Sequence, residues 1–130
     1  MSIDNAAIKS SIDSFLTGIA GLPTYGWADR NFVPSFDAQS IRVNLLPTKK
    51  CWLSSGNGIK EATGLILFEI WAPVGSESIA DSTAAQIESL LLSTRQIAQI
   101  LLNECTAQEG RYVDGMYRVN VKLSWFSLSQ

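Results

Sequence analysis

The chain is organised around the ten residues TGLILFEIWA, which run from Thr63 to Ala72. They are mostly apolar, β-branched or aromatic, and Glu69 is the single charge. This composition predicts a strand that is buried on most of both faces. The strand should end at Pro73, because proline cannot donate a ladder hydrogen bond, and Gly75 favours a turn there.

A helix is expected directly after this strand. Ser78 can cap its first turn, with Asp81 three positions on as the acid of a capping box. Apolar residues then recur at helical spacing, so one face of the helix should pack against the strand. These residues are Ala80, Ala84, Ile87, Leu90 and Leu91.

The N-terminal part predicts another helix and then a long loop. Apolar residues from Ile8 to Ile19 share one face and place the helix near residues 3–18. Residues 20–38 show no clear element. The loop holds the aromatic residues Tyr25, Trp27, Phe32 and Phe36. Two interpretations are open: the loop covers one end of the core, or part of it contacts another subunit.

Residues 39–46 alternate between apolar and polar and predict a half-buried strand that ends before Pro47. A turn sequence at residues 54–58 should return the chain as an antiparallel strand over residues 59–72. Residues 49–60 then form a hairpin arm, which is either solvated at its tip or in contact with a neighbour or a nucleic acid. The arm carries Lys49, Lys50 and Lys60.

In the C-terminal part, residues 97–106 predict a strand, with a continuation of the preceding helix as the alternative. A loop with an Asp114-Gly115 turn follows, and residues 116–126 alternate strictly, with the polar side facing solvent or a lumen. The predicted fold is one α+β domain over residues 1–130, in the order α-β-β-α-β-β. It has a mostly antiparallel sheet of about four strands and two helices packed on one face.

The composition favours a protein that gives surface to partners. Hydrophobic residues make up 46% and charged residues 17% of the chain, whereas ~25% charged residues is usual. The net charge of −2, without basic blocks, argues against a nucleic-acid-binding face and a polybasic membrane anchor. The sequence shows no signal-peptide pattern and no long apolar run, so a soluble protein made in the cytosol is expected.

The residues of common active sites are missing. The chain has no histidine, so Ser-His-Asp and Cys-His arrangements cannot be built. Cys51 and Cys105 are expected to be reduced core residues, with a disulfide as the alternative. Glu69 is expected to face solvent or to meet an arginine such as Arg42 or Arg118 on a neighbouring strand. We therefore expect no enzymatic activity, no cofactor and no metal site.

Several motifs occur in a characteristic order. Trp27, Asp29, Phe32 and Pro34 are similar to a Trp-x-Asn-x-x-Phe-x-Pro pattern, with Asp in place of Asn. The other members of the ordered set are Gly21-Leu22-Pro23, Arg42-Val43, Leu45-Leu46-Pro47, Gly64, Pro73, Gly75, Ala80, Ala84, Ala85, Tyr117 and Trp125. Over roughly residues 1–126, this set resembles the tail-terminator, or tail-completion, proteins of long-tailed bacteriophages.

The resemblance implies a structural virion protein. Members of that family cap the end of the tail tube as a hexameric ring, stop tube polymerisation and form the surface for head–tail joining. The implied partners are further copies of the chain, the tail tube protein and a head-completion or neck protein. DNA passes through the lumen without specific binding, and no membrane is involved. The implied location is the head-proximal end of the tail, after assembly in the host cytoplasm.

Two other functions stay open: a neck, head-completion or minor tail protein, and an unrelated soluble binding domain. The predicted subunit or partner contacts lie in the long loop and in the hairpin arm. They are Trp27, Arg30, Phe32, Phe36, Lys49, Lys50, Trp52 and Lys60.

Overall fold

A computed structural model of the chain describes residues 5–28, 32–34, 37–46, 49–52, 60–97 and 100–129. Within these ranges, two helices and eight strands follow one another. The helices are α1 (Asn5–Thr17) and α2 (Glu77–Thr94). The strands are β1 (Thr24–Trp27), β2 (Ser40–Leu45), β3 (Lys49–Trp52), β4 (Lys60–Ala72), β5 (Gln96–Ile97), β6 (Ile100–Ala107), β7 (Arg111–Val113) and β8 (Met116–Ser129).

The strands form one mixed, strongly curled sheet that resembles half a barrel. Its strand order is β1-β2-β4-β8-β6-β5, with β3 beside β4 and β7 beside β8. The β1–β2 pair is parallel, and the other pairs are antiparallel. The predicted sheet of about four strands in the order α-β-β-α-β-β is therefore wrong. The described chain is mostly β, in the order α-β-β-β-β-α-β-β-β-β.

Strands β4 and β8 form the centre of the sheet and pair from Lys60–Ser129 to Ala72–Tyr117 without a break in register. The apolar stretch at residues 63–72 lies in β4, as predicted. Alternate side chains of both strands enter the core, because successive side chains of a strand point to opposite faces. The fully buried ones include Ile66, Phe68, Ile70, Val121 and Leu123.

Both helices bury apolar side chains in the same core. Helix α1 contributes Ile8, Ile12 and Leu16. Helix α2 contributes Ala80, Thr83, Ala84, Ile87 and Leu91. Leu90 was expected among these residues, yet it is 36% exposed, because it lies at the edge of the buried stripe rather than at its centre. Neither helix combines the length and apolarity that a membrane span requires, as far as the described residues go.

The start of α2 differs from the predicted capping box. The helix begins at Glu77 with Ser76 at the N-cap, and no side chain caps it there. Instead the Glu77 carboxylate accepts a hydrogen bond from the backbone N–H of Gly75. An acidic residue in the first turn also interacts favourably with the helix dipole. The helix therefore starts before Ser78, and its first turn is not closed by the predicted capping box of Ser78 and Asp81.

Helix α2 ends at Thr94, before the predicted strand over residues 97–106. Arg95 adopts the left-handed conformation with φ 62°, and its backbone N–H donates to the carbonyl of Leu91. This single residue separates the helix from β5 and β6. The predicted strand over residues 97–106 is confirmed for residues 100–106, whereas Ile97 belongs to β5, which pairs antiparallel with β6. The break is only weakly predictable from the residues, because arginine is not a usual left-handed cap.

Two short strands lie in segments that were predicted as loops. Strand β1 lies within residues 20–38 and pairs in parallel with β2. Strand β7 precedes the Asp114-Gly115 turn and pairs with the start of β8. Both strands are held by a longer neighbour rather than by their own composition, which explains why periodicity did not reveal them.

Candidate functional site

The face of the sheet opposite the helices carries a polar cluster. Along β4, the residues that enter the core alternate with Glu69 and Trp71, which point to this opposite face. The register places Glu69 between Arg42 of β2 and Asn120 of β8, and it places Trp71 beside Arg118. We call the surface formed by these five residues the polar face.

The Glu69 carboxylate is the centre of the polar face. It is 4% exposed and accepts hydrogen bonds from Arg42 Nε at 3.2 Å and Arg42 Nη2 at 2.8 Å. Arg118 Nη1 lies 4.0 Å from the same carboxylate. The prediction that Glu69 meets an arginine on a neighbouring strand is confirmed. A bidentate pair of this kind is among the stronger charge-assisted contacts in proteins.

Trp71 lies between the same two arginines. The Cζ atoms of Arg42 and Arg118 lie 5.6 Å and 5.5 Å from the centroid of the Trp71 ring. Each stacked guanidinium adds a cation–π attraction of roughly 0.5–1 kcal/mol. The arginines cover the indole. Trp71 is therefore only 5% exposed, although it lies on the face of the sheet away from the helices.

A cleft of about 250 Å³ opens beside the polar face, where β6 gives way to β7. The backbone N–H of Gln108 donates to the carbonyl of Asn120 at 2.8 Å, and β7 then begins at Arg111. Arg111 lies directly opposite Arg118 in the register. The cleft is lined by Gln108, Glu109, Arg111, Arg118 and Asn120. The side chains of these lining residues carry two guanidinium groups, two amides and one carboxylate.

Several buried polar atoms of this region have no protein partner among the described residues. They are Ser40 Oγ, Trp71 Nε1, Arg118 Nε and Asn120 Oδ1. Ser40 belongs to the same side of the sheet because it pairs with Trp71. Most buried polar side chains in proteins are hydrogen-bonded, so four unpartnered atoms in one region mark it as a candidate binding site.

The Asp114-Gly115 turn is the feature of the sequence that bears most directly on this cleft. An Asp-Gly turn with both residues at positive φ closes a two-residue hairpin. A two-residue turn at Asp114 and Gly115 pairs Val113 with Met116. Counting outward along both strands, it therefore places Arg111 opposite Arg118. Alternation places Arg118 and Asn120 on the polar side of the last strand, and Arg118 is also a predicted partner of Glu69, but neither residue is predicted to line a cleft.

Trp27, a predicted contact residue, lies in the core. It is 3% exposed, and its Nε1–H donates to Asp13 Oδ1 at 2.9 Å. The Tyr25 hydroxyl donates to the same oxygen at 3.2 Å. These two hydrogen bonds connect Tyr25 and Trp27 of β1 to α1. Burial and the nearby Asp13 raise the pKa of Tyr25. In the single chain, Trp27 therefore serves packing.

The structure describes some of the other predicted contact residues and not the rest. Phe32 is half-buried, and its ring covers Gly26, where a Cβ atom would lie 2.2 Å from Phe32 Cδ2. Arg30 and Phe36 lie outside the described residues. Lys49, Lys50 and Trp52 lie on β3, and Trp52 pairs with Lys60 of β4, which confirms the antiparallel arm at its described base. The remainder of the arm, residues 53–59, lies outside the described residues.

Large apolar side chains on and near α2 are exposed, and these were not predicted. Val74 is 64%, Ile79 is 53% and Leu92 is 54% exposed. Ile79 and Leu90 are eleven residues apart, about three helical turns, so they share one line along the helix. Helical spacing predicts Leu90 in the core, whereas its burial depends on which side of the helix the sheet covers.

A tyrosine pair fixes the β7–β8 hairpin to the start of α2. The Tyr112 hydroxyl donates to Glu77 Oε2 at 2.8 Å, and the Tyr117 hydroxyl donates to Asp81 Oδ1 at 2.9 Å. The hydrogen bond to Asp81 raises the pKa of Tyr117 to about 12. The bond from Tyr112 lowers the pKa of Glu77. These contacts serve to position the hairpin that carries Arg111.

Metal-ligating side chains do not cluster anywhere in the described part of the chain. Cys105 is a free thiol in the core, and burial raises its pKa to about 11. A thiol with so high a pKa stays protonated and is a poor nucleophile near neutral pH.

Comparisons with known proteins give a fold but no family. No family model matches the chain, and no curated protein matches it. Sixteen chains among solved structures do match. One of them, a protein whose name states no function, aligns over 99% of this chain and 98% of its own with a TM-score of 0.69 at 14% identity. Likeness at that identity concerns the fold alone.

Proposed function

We propose that this chain is a structural protein of a bacteriophage tail that caps the end of the growing tail tube. The observation that carries the proposal is the ordered set of motifs from Gly21 to Trp125 that resembles tail terminators. Six copies form a ring on the last ring of tube protein. The free side of the ring joins the neck, and DNA passes through its centre.

Exposed apolar side chains support assembly with further copies. A closed ring is built from heterologous contacts, in which each subunit uses two different surfaces. Ile79 and Leu90 offer apolar surface along α2. The arm formed by β3 and β4 offers a second surface. Exposed apolar groups of this kind are typical of the centre of protein interfaces.

The proposed mechanism depends on the shape of the ring surfaces and involves no chemical reaction. One side of the ring matches the last tube ring, and the other side presents no equivalent surface to the next tube subunit. The tube therefore cannot add another layer. Because six subunits bind together, the affinity of the ring exceeds that of one subunit by avidity.

The direct test is polymerisation of purified tube protein in the presence of this protein. Amounts equal to one ring per tube end should stop elongation. Ile79→Asp places a charge on the exposed line of α2 and should weaken capping, whereas Ser89→Asp, at an exposed polar position of α2, is the matched control. Tubes that grow to the same length with and without the protein would refute the proposal. Binding to finished tails without an arrest of growth would instead indicate a neck or head-completion protein.

A further inference from the structure

The two arginines of the cleft are poorly neutralised by the protein. Arg111 and Arg118 occupy directly opposed positions of β7 and β8. Like charges at such positions destabilise a strand pair. The Glu69 carboxylate is already bound by Arg42 at 2.8 Å and lies 4.0 Å from Arg118. A second negative group between the two guanidiniums would remove the repulsion.

The hydrogen-bonding groups of the cleft are also incompletely used. Arg118 Nε has no partner, and Arg111 makes no ion pair within the described ranges. Asn120 Oδ1 is an acceptor without a donor. The cleft therefore offers two guanidinium donors and one amide acceptor side by side.

We propose that this cleft binds a phosphate group between Arg111 and Arg118. Guanidinium groups match phosphate oxygens in charge and in planar, bidentate geometry. A hydrogen phosphate also carries one O–H, which can donate to Asn120 Oδ1. The volume of about 250 Å³ suits a single phosphate, since sites for larger ligands measure ~300–1,000 Å³. The site is independent of the proposed tail function.

Glu109 sets the charge that the cleft can accept. Glu109 lines the cleft together with the two arginines, so the lining residues carry two positive charges and one negative charge. This balance favours one small anion over a polyanion. Removing the Glu109 charge should therefore tighten phosphate binding, which is the opposite of the effect of removing Arg111.

The test is titration of the full chain with inorganic phosphate, followed by backbone amide NMR shifts, against chloride at matched ionic strength. Arg111→Gln should weaken binding about tenfold, the effect of losing one charge-assisted contact. Glu109→Gln should strengthen it severalfold. Lys122→Gln removes an exposed cation from the same side of β8 outside the cleft and should have little effect.

A parallel titration with a short DNA duplex identifies the source of the phosphate. Binding of inorganic phosphate that depends on Arg111 supports a site for a free phosphate or phosphate ester. Binding of the duplex alone, again dependent on Arg111, supports a phosphodiester ligand. The proposal is wrong if neither binds, or if Arg111→Gln and Lys122→Gln weaken binding equally.

Discussion

Arg42 and Glu69 form a bidentate ion pair across β2 and β4, with N···O distances of 2.8 Å and 3.2 Å. Glu69 is almost fully buried, whereas 32% of the Arg42 side chain is exposed. Removing one member of a buried pair leaves the other charge without compensation, which is the costly event. The intact pair can therefore contribute little net free energy of folding, while the loss of one partner strongly destabilises the polar face.

Glu69→Gln should lower the free energy of unfolding by about 2–3 kcal/mol, less than the ~3–5 kcal/mol of a fully buried pair. The loss arises because Arg42 and Arg118 then face each other across Trp71 without a counter-charge. Urea denaturation measures it, and Glu104→Gln, at an exposed carboxylate on β6, is the control. A double-mutant cycle with Arg42→Met that gives no coupling energy would contradict this account.

Gly64→Ala should destabilise the fold by about 1–3 kcal/mol through overpacking. A Cβ atom at Gly64 would lie 2.6 Å from Cζ2 of Trp125, which is buried on the paired strand. The cost should fall in a Trp125→Phe background, because phenylalanine lacks the atoms that clash. Gly18→Ala, where the nearest atom would be 3.5 Å away, should be neutral in the same thermal melts.

Asp13→Ala should cost about 1–3 kcal/mol, because it leaves the buried Trp27 Nε1–H without an acceptor. Asp13→Asn keeps an acceptor oxygen and should retain most of the stability. Guanidinium denaturation compares the two variants. Equal losses would show that the charge of Asp13, rather than its hydrogen bonds to β1, holds α1 in place.

The Cys105 thiol should react slowly in the folded protein. Burial raises its pKa from 9.0 to about 11, so alkylation of a Cys51→Ser variant at pH 8 should be about 100-fold slower than in urea. The unfolded chain loses this proton at lower pH than the folded chain, and stability should therefore decrease between about pH 9 and pH 11. Cys105→Ala should remove that part of the pH dependence. Labelling at equal rates in the folded and unfolded states would contradict a buried thiol.

Lys49→Glu combined with Lys50→Glu should leave the monomer folded and weaken ring assembly. The change reverses two charges on the short strand β3, and charge reversal at an interface rim acts mainly on association. Circular dichroism checks folding, and light scattering checks assembly. Lys122→Glu is the control outside the arm. Normal tails assembled with the double variant would remove the arm from the proposed contacts.

Period-two alternation predicted β2 and β8, because each of them has one face in the core. The apolar, β-branched and aromatic composition of residues 63–72 predicted β4, and the adjacency of these strands predicted an arginine partner for Glu69. Strand β1 has the sequence TYGW, in which glycine and the short length hide any pattern. Its existence depends on a parallel neighbour and on Asp13, which are contacts between distant parts of the chain.

The same limit applies to the candidate site. The residues of the cleft come from β7, β8 and the segment before β7, and the pairing of Ala107 with Val121 and of Arg111 with Arg118 brings these segments together. The net charge of −2 includes these arginines and does not indicate a basic face. A net charge does not show where individual charges lie, whereas the fold brings two arginines into one cleft.

Negative-stain images of preformed tail tubes incubated with this protein show whether it caps the tube. We expect an extra ring of density at one end of each tube and no density along the wall. It also predicts that capped tubes do not lengthen when more tube protein is added. Bare tube ends at saturating protein, or binding along the whole tube, would contradict it.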